Sequence, residues 1–187
     1  MRAGNLAVMR TLLAPDDMVD DMLAERRVRG WDLYDYEIDG VYHMAPAPSI
    51  DYADIQLRVG AVMLDLARDK GLKAIGPANL GKLKGDVIAY LIPDITIVEP
   101  GASGSALLHA SVAVEILSPN EDEDAKVADY ARVVELTGLQ LDELWYVDAT
   151  NAQVRIRDAR LQLVDHSTVF GRTAAEFAEL FGLRPSI

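Results

Sequence analysis

The sequence predicts an α/β or α+β domain, a mixed β-sheet core flanked by helices. Three observations lead there. Apolar residues recur at helical spacing in two long stretches, 49–70 and 120–137. Short runs rich in Val, Ile, Leu and Tyr lie between and after them, notably "YLIPDITIVEP" (90–100), "SVAVEILSP" (111–119) and "ELWYVD" (143–148). The two kinds of segment alternate as helix, hairpin, helix, several strands, helix, strands, helix, the order of a sheet with helices layered on it.

A first helix is expected around 16–27, with Met18, Met22 and Leu23 on one face. "WDLYDYEIDGVYHMAP" alternates and carries an Asp39-Gly40 turn, which predicts a hairpin with arms near 33–38 and 41–45. The next helix is capped by Ser49 and ended by Gly71, with Ile55, Val59, Val62, Met63 and Leu66 inward. Two strands are expected within 72–88, then strands near 90–98 and 111–117. A helix follows, with Asn120 and Glu123 as a capping box and acids in the first turn, where the helix dipole favours them. Its apolar face would be Val127, Tyr130, Ala131 and Val134, and Gly138 would end it. Strands at 143–148, 153–158 and 161–165 precede a last helix capped by Thr173 and Glu176, running to Phe181.

Of the 187 residues half are apolar, enough for one domain over 1–187 with a sizeable core. There are no cysteines, so disulfides and thiolate metal sites are excluded. Arg10 interrupts the N-terminal apolar run, and no stretch approaches the roughly 18 apolar residues of a membrane span. The expectation is a cytoplasmic protein with no membrane partner. The net charge is −12, from 18 Lys+Arg against 30 Asp+Glu, which opposes non-specific coating of nucleic acid. It leaves room for an enzyme that meets phosphates through a metal ion.

Asp94 and Glu115 stand out because each is an acid inside an apolar run. An unpaired buried carboxylate costs several kcal/mol or shifts its pKa. On a period of two, Ala113, Glu115 and Leu117 share one strand face, and Val112, Val114 and Ile116 the other. If the two strands are neighbours, the carboxylates converge, and a hard divalent cation relieves their repulsion. That is the chemistry of metal-assisted phosphodiester hydrolysis. The residues alone leave simpler readings open: Asp94 at a solvated sheet end, Glu115 paired with a base, Lys126 in an i,i+4 pair with Asp122, Glu37 on a hairpin surface, Tyr130 in the core. His43, His109 and His166 have no ligand spacing, and no phosphate-cradling glycine motif is present. "KLKG" (82–85) reads as a solvated turn. A carboxylate-pair glycosidase is disfavoured, since no aromatic cluster stands near these strands.

Pro93-Asp94, with Glu115 twenty-one residues on, resembles the PD-(D/E)xK nuclease superfamily, although Leu117 stands where that pattern has lysine. "YEIDGVYHMAPAPS", "IPDITIV", "VAVEILSP", "KVADY" and "LWYVD" follow the order expected for the Uma-two family of restriction-endonuclease-like proteins, over roughly 31–158. The resemblance implies a restriction-endonuclease-like core and a nuclease site using Mg²⁺ or Mn²⁺. It implies Asp94 and Glu115 as acidic ligands, Ile116 as the residue whose backbone carbonyl joins the metal shell, and Glu37 as an assisting acid. Lys126, with Tyr130, would replace the missing strand lysine from the next helix. Where many relatives have a histidine, this chain has Tyr52. The implied partner is nucleic acid, with DNA expected. A homodimer is expected too, because cutting both strands needs two sites and "ELWYVD" and "FAELFGL" carry more apolar residues than a small sheet obviously needs. The alternative is an inactive binding module that keeps the nuclease fold.

Overall fold

The computed structural model describes residues 11–13, 35–38, 41–44, 50–82, 89–118 and 121–184. The elements are β1 (Thr11–Leu13), β2 (Asp35–Ile38), β3 (Val41–Met44), α1 (Ile50–Asp69), β4 (Lys73–Ile75), β5 (Leu80–Lys82), β6 (Ala89–Leu91) and β7 (Ile95–Val98). They continue as β8 (His109–Leu117), α2 (Glu123–Thr137), β9 (Gln140–Asp148), β10 (Gln153–Arg157), β11 (Leu163–Val164) and α3 (Ala174–Leu180). This is the mixed-sheet α/β architecture expected from the sequence.

The main sheet has the order β11-β10-β9-β8-β7-β4. Only β8 and β9 run parallel, and α2 makes the crossover between them. The second sheet has the order β1-β3-β2-β6-β5. Helices cover both faces of the main sheet. On one face Val59, Met63 and Ala67 of α1 and Phe177 of α3 pack on Ile95, Ile97, Val112, Val114 and Ile116. On the other, Tyr130 and Val133 of α2 pack on Ala113, Leu117, Leu144 and Tyr146, together with Leu80, Ala89 and Leu91 of the second sheet. The alternation expected over 112–117 is therefore present, with β8 buried on both sides.

Several sequence expectations change. The run 90–98 is two strands, β6 in one sheet and β7 in the other. Pro93 lacks the N–H that a continuous ladder would need, and the chain changes sheets there. The N-cap of α2 is Asp122, whose carboxylate accepts from the amides of Asp124 (3.0 Å) and Ala125 (3.3 Å). Asn120 lies outside the described residues, and the Asn120–Glu123 capping box gives way to Asp122. The buried stripe of α2 is Tyr130, Val133 and Thr137, while Ala131 is exposed. Gly138 ends the helix at φ 73°, as expected. Gly71 follows α1 at φ 71°, and the Thr173–Glu176 capping box is formed. The helix over 16–27, the Asp39-Gly40 turn, the Ser49 cap and residues 83–88 lie outside the described residues. The residues that suggested a C-terminal dimer surface are internal: Trp145, Tyr146, Phe177 and Phe181 are in the chain's own core. No helix among the described residues is long and apolar enough to cross a membrane.

Candidate active site

β7 begins two residues after Pro93 and pairs antiparallel with β8, Ile95 opposite Val114 and Thr96 opposite Ala113. One step further along that register, Asp94 meets Glu115. Asp94 is 7% exposed and takes three donors. The Ile116 amide donates to Oδ2 (2.8 Å), and the Tyr52 hydroxyl (2.7 Å) and Gln56 Nε2 (3.3 Å) donate to Oδ1. Tyr52 and Gln56 stand one turn apart near the start of α1, so one helix face delivers both. Glu115, 6% exposed, is served by the opposite helix. Tyr130 donates its hydroxyl to Oε1 (2.7 Å), and Lys126 its ammonium to Oε2 (2.8 Å). These two are also one turn apart, on α2. Lys126 Nζ lies 2.8 Å from Glu121 Oε1 as well.

Burial is not what distinguishes this pair. Glu143 is 2% exposed, yet Trp145 Nε1, the hydroxyls of Ser167 and Thr168 and the amides of Thr168 and Val169 all donate to it. It pins the turn before α3, and its acceptors are filled by neutral donors. Asp94 and Glu115 differ in lying against each other. Burial, then the charge of Glu115, raises the Asp94 pKa to about 6, against the pull of Tyr52, Ile116 and Lys126. Burial alone would lower the Lys126 pKa, but Glu115 and Glu121 outweigh it and hold the ammonium charged. Tyr52 and Tyr130 are pushed well up by burial and by the carboxylates they serve, so both remain hydroxyl donors.

One ammonium thus faces three carboxylates, those of Asp94, Glu115 and Glu121. That deficit of positive charge is what a divalent cation would offset, and two carboxylates with waters and phosphate oxygens are an ordinary Mg²⁺ donor set. Ile116 turns its amide toward Asp94, and a strand residue presents N–H and C=O to the same neighbour. The Ile116 carbonyl therefore lies on the Asp94 side. Among the described residues no group of three or more His, Cys, Asp or Glu side chains is placed to hold a metal ion. Asp94 and Glu115 alone would supply two carboxylate donors, leaving the rest of a shell to backbone, water or substrate oxygens.

The register carries the polar face further, since Glu115 pairs with Tyr146 and Tyr146 with Arg155. Arg155 and Arg157 both pair with Glu123, the latter at 2.8 Å, tying the first turn of α2 to β10. Among the described residues the buried hydroxyls of Tyr146 and Thr96 have no hydrogen-bond partner.

Of the residues singled out in the sequence, Asp94, Glu115, Ile116, Lys126 and Tyr130 come together. Lys126 pairs with Glu115 and Glu121, and Asp122 serves as the cap, which replaces the simple i,i+4 reading. Glu37 pairs in register with Tyr90 of β6, four residues before Asp94, and its side chain lies outside the described residues. Leu117 is core, packed with Tyr130. His109 and His166 sit beside Asp142 and Asp165 and far from any such cluster in register; the side chain of His43 lies outside the described residues. Gln56 and Glu121 went unnoticed in the sequence. For Gln56 the available signal was its place one turn after Tyr52.

No family model matches the sequence, and no curated protein matches it. The fold is similar to that of a crystal structure from Anabaena variabilis ATCC 29413, described as a putative nuclease belonging to DUF820. The two share 14% identity at a TM-score of 0.59, over 80% of this chain and 92% of that one. DUF820 is the Uma-two family, so the fold implied by the motifs is the fold found.

Proposed function

We propose that this chain is a metal-dependent endonuclease that hydrolyses phosphodiester bonds of nucleic acid, DNA being the expected substrate. One observation carries the reading: two buried carboxylates converge one step beyond the paired register of β7 and β8, and an adjacent helix brings an ammonium onto Glu115. The description of the Anabaena variabilis protein of like fold points the same way. Asp94, Glu115 and the Ile116 carbonyl would hold Mg²⁺ or Mn²⁺. Such an ion polarises a phosphate and acidifies a bound water.

The remaining work belongs to the side chains. Tyr52, Gln56 and the Ile116 amide fix the Asp94 carboxylate, and Tyr130 fixes that of Glu115. Lys126 stays protonated, so its role is to hold a phosphate oxygen and stabilise the charge that develops there, in preference to accepting a proton. Glu37 is assigned an assisting role from the resemblance; its strand pairs with β6 at Tyr90, four residues before Asp94. A cleavage assay with Mg²⁺ and Mn²⁺ on duplex, single-stranded and structured substrates tests the reading. Asp94→Ala should lose both ion binding and cleavage. Lys126→Ala should lose cleavage by at least about 100-fold while still binding the ion. Wild-type protein inactive on all substrates with both ions would overturn it.

One observation favours a second reading. Lys126 already bonds both Glu115 and Glu121, so each of these carboxylates has a cationic partner without an ion, in the way expected of a non-catalytic module that keeps the fold. Melting in a Mg²⁺ series separates the two. A rise in Tm that vanishes in Asp94→Ala supports the metal site, and a flat response supports the module.

A further inference from the structure

Tyr146 of β9 is fully buried, and among the described residues its hydroxyl has no hydrogen-bond partner. Tyr52 and Tyr130, by contrast, each donate a hydroxyl to one of the two acids. A buried hydroxyl without a partner forfeits its bonds to water, and phenylalanine would fill the same space without that cost. The core needs the ring and not the oxygen. Tyr146 stands in register with Glu115 on the neighbouring parallel strand, and paired positions project from one face of a sheet. That face is the one α2 covers, where Tyr146 packs with Tyr130, Leu117 and Leu144. After burial, the charge acting most strongly on the hydroxyl is that of Glu115, followed by Lys126, Glu123 and Arg157. Glu123 and Arg157 are paired with each other at 2.8 Å. Lys126 holds more in reserve, because Glu115 and Glu121, at 2.8 Å each, take two of its three N–H groups.

We infer that Tyr146 is a positioning residue for Lys126: when Glu115 engages a divalent ion, the ammonium leaves Glu115 and takes the Tyr146 oxygen as its acceptor, keeping its bond to Glu121. The inference rests on the reading of Asp94 and Glu115 as ion ligands. While Glu115 accepts from Lys126, a carboxylate outcompetes a phenol oxygen, and the Tyr146 hydroxyl stands idle. Once the carboxylate is engaged elsewhere, the phenol oxygen is the acceptor left on that face. The lysine's flexible four-carbon stem permits the change of partner. Glu121 can hold its side of the arrangement without Glu115. Its Oε2 accepts from the Ser118 amide at 3.0 Å, just past the end of β8, while its Oε1 faces the ammonium. The donor count then closes. One N–H goes to Glu121, one to Tyr146, and the third is left for a phosphate oxygen. Without the Tyr146 oxygen the ammonium would keep a single fixed partner and pivot about it, and the third N–H would lose its aim.

Tyr146→Phe keeps the ring and removes the acceptor, and circular dichroism of the full chain is the folding control. Melting in Mg²⁺ and Mn²⁺ series reads the effect without any activity measurement. Wild type should rise in Tm with the ion, and Tyr146→Phe should need at least about 5-fold more ion for the same rise. In a Lys126→Ala background the same change should leave the ion response where it was, because the hydroxyl acts through that lysine. On a substrate that wild type cleaves, Tyr146→Phe should lower kcat about 10-fold and leave KM within about 2-fold. An ion response identical in wild type and Tyr146→Phe would overturn the inference and leave the ion site standing, whereas a wild type with no response would overturn both. A Tyr146→Phe effect undiminished in the Lys126→Ala background would assign the hydroxyl to another group. A Tyr146→Phe protein destabilised before any ion is added would show that the hydroxyl already has a partner. Either result would also overturn the inference.

Discussion

Asp94 accepts three hydrogen bonds and still has a pKa near 6, because burial and Glu115 outweigh its donors. Its ordinary value is 3.8, so the native state holds this proton more tightly than the unfolded chain does. The contribution to stability is therefore present at low pH and lost as the pH rises from about 4 to about 6, by at most about 3 kcal/mol. Urea unfolding at pH 4.5 and 7.5 should show this loss in wild type and a smaller one in Asp94→Asn. Mg²⁺ at pH 7.5 should recover part of it, and an Asp94→Asn variant with the wild-type pH profile would contradict the assignment. Tyr146 offers a second check. Removing its unpartnered buried hydroxyl in Tyr146→Phe should leave the metal-free protein equally stable or up to about 1 kcal/mol more so. A clear loss in a urea titration would show that the hydroxyl has a partner. The two acids were legible in the sequence because a carboxylate amid Ile, Val and Leu is anomalous. Tyr52 was marked only by the resemblance and Gln56 not at all, since polar residues near a helix start are unremarkable until the helix is placed against Asp94.

At the level of elements, the lysine's position depends on the start of α2. Asp122 caps that helix, Glu123 ties its first turn to Arg155 and Arg157, and Lys126 follows in the next residues. Asp122→Ala should cost about 1 kcal/mol of stability. It should also lower cleavage at saturating substrate more than it changes apparent ion affinity, because the carboxylates stand on strands that the cap does not touch. Equal effects on both would place the cap's influence elsewhere. Element types were readable from periodicity and turn residues, while two boundaries were not. The strand at 90–98 reads as continuous because apolar residues flank Pro93 on both sides, and periodicity does not reveal a change of sheet. The cap of α2 was misplaced because Asn120, Asp122 and Glu123 all suit a helix start, and only backbone geometry chooses Asp122.

Across the whole molecule, a net charge of −12 means that phosphate must be drawn to the site by something other than the protein's overall field. Nucleic-acid retention in a gel shift should therefore require a divalent ion and disappear with chelator; retention unchanged by chelator would contradict the metal-mediated encounter. The sheet core and its helices were foreseeable from pattern alone, whereas the sharing of one core by two sheets was not, because Leu80, Ala89 and Leu91 meet α2 only through topology. That sharing has a mechanical side. Ile92, Pro93 and Asp94 are the whole of the chain between β6 in one sheet and β7 in the other, so a small slide of one sheet over the other would alter the spacing of Asp94 and Glu115. By reciprocity, whatever fixes that spacing must stiffen the joint between the sheets. Mg²⁺ should then slow amide hydrogen exchange in Ala89–Leu91, a strand that contributes no ligand, and the slowing should be absent in Glu115→Gln.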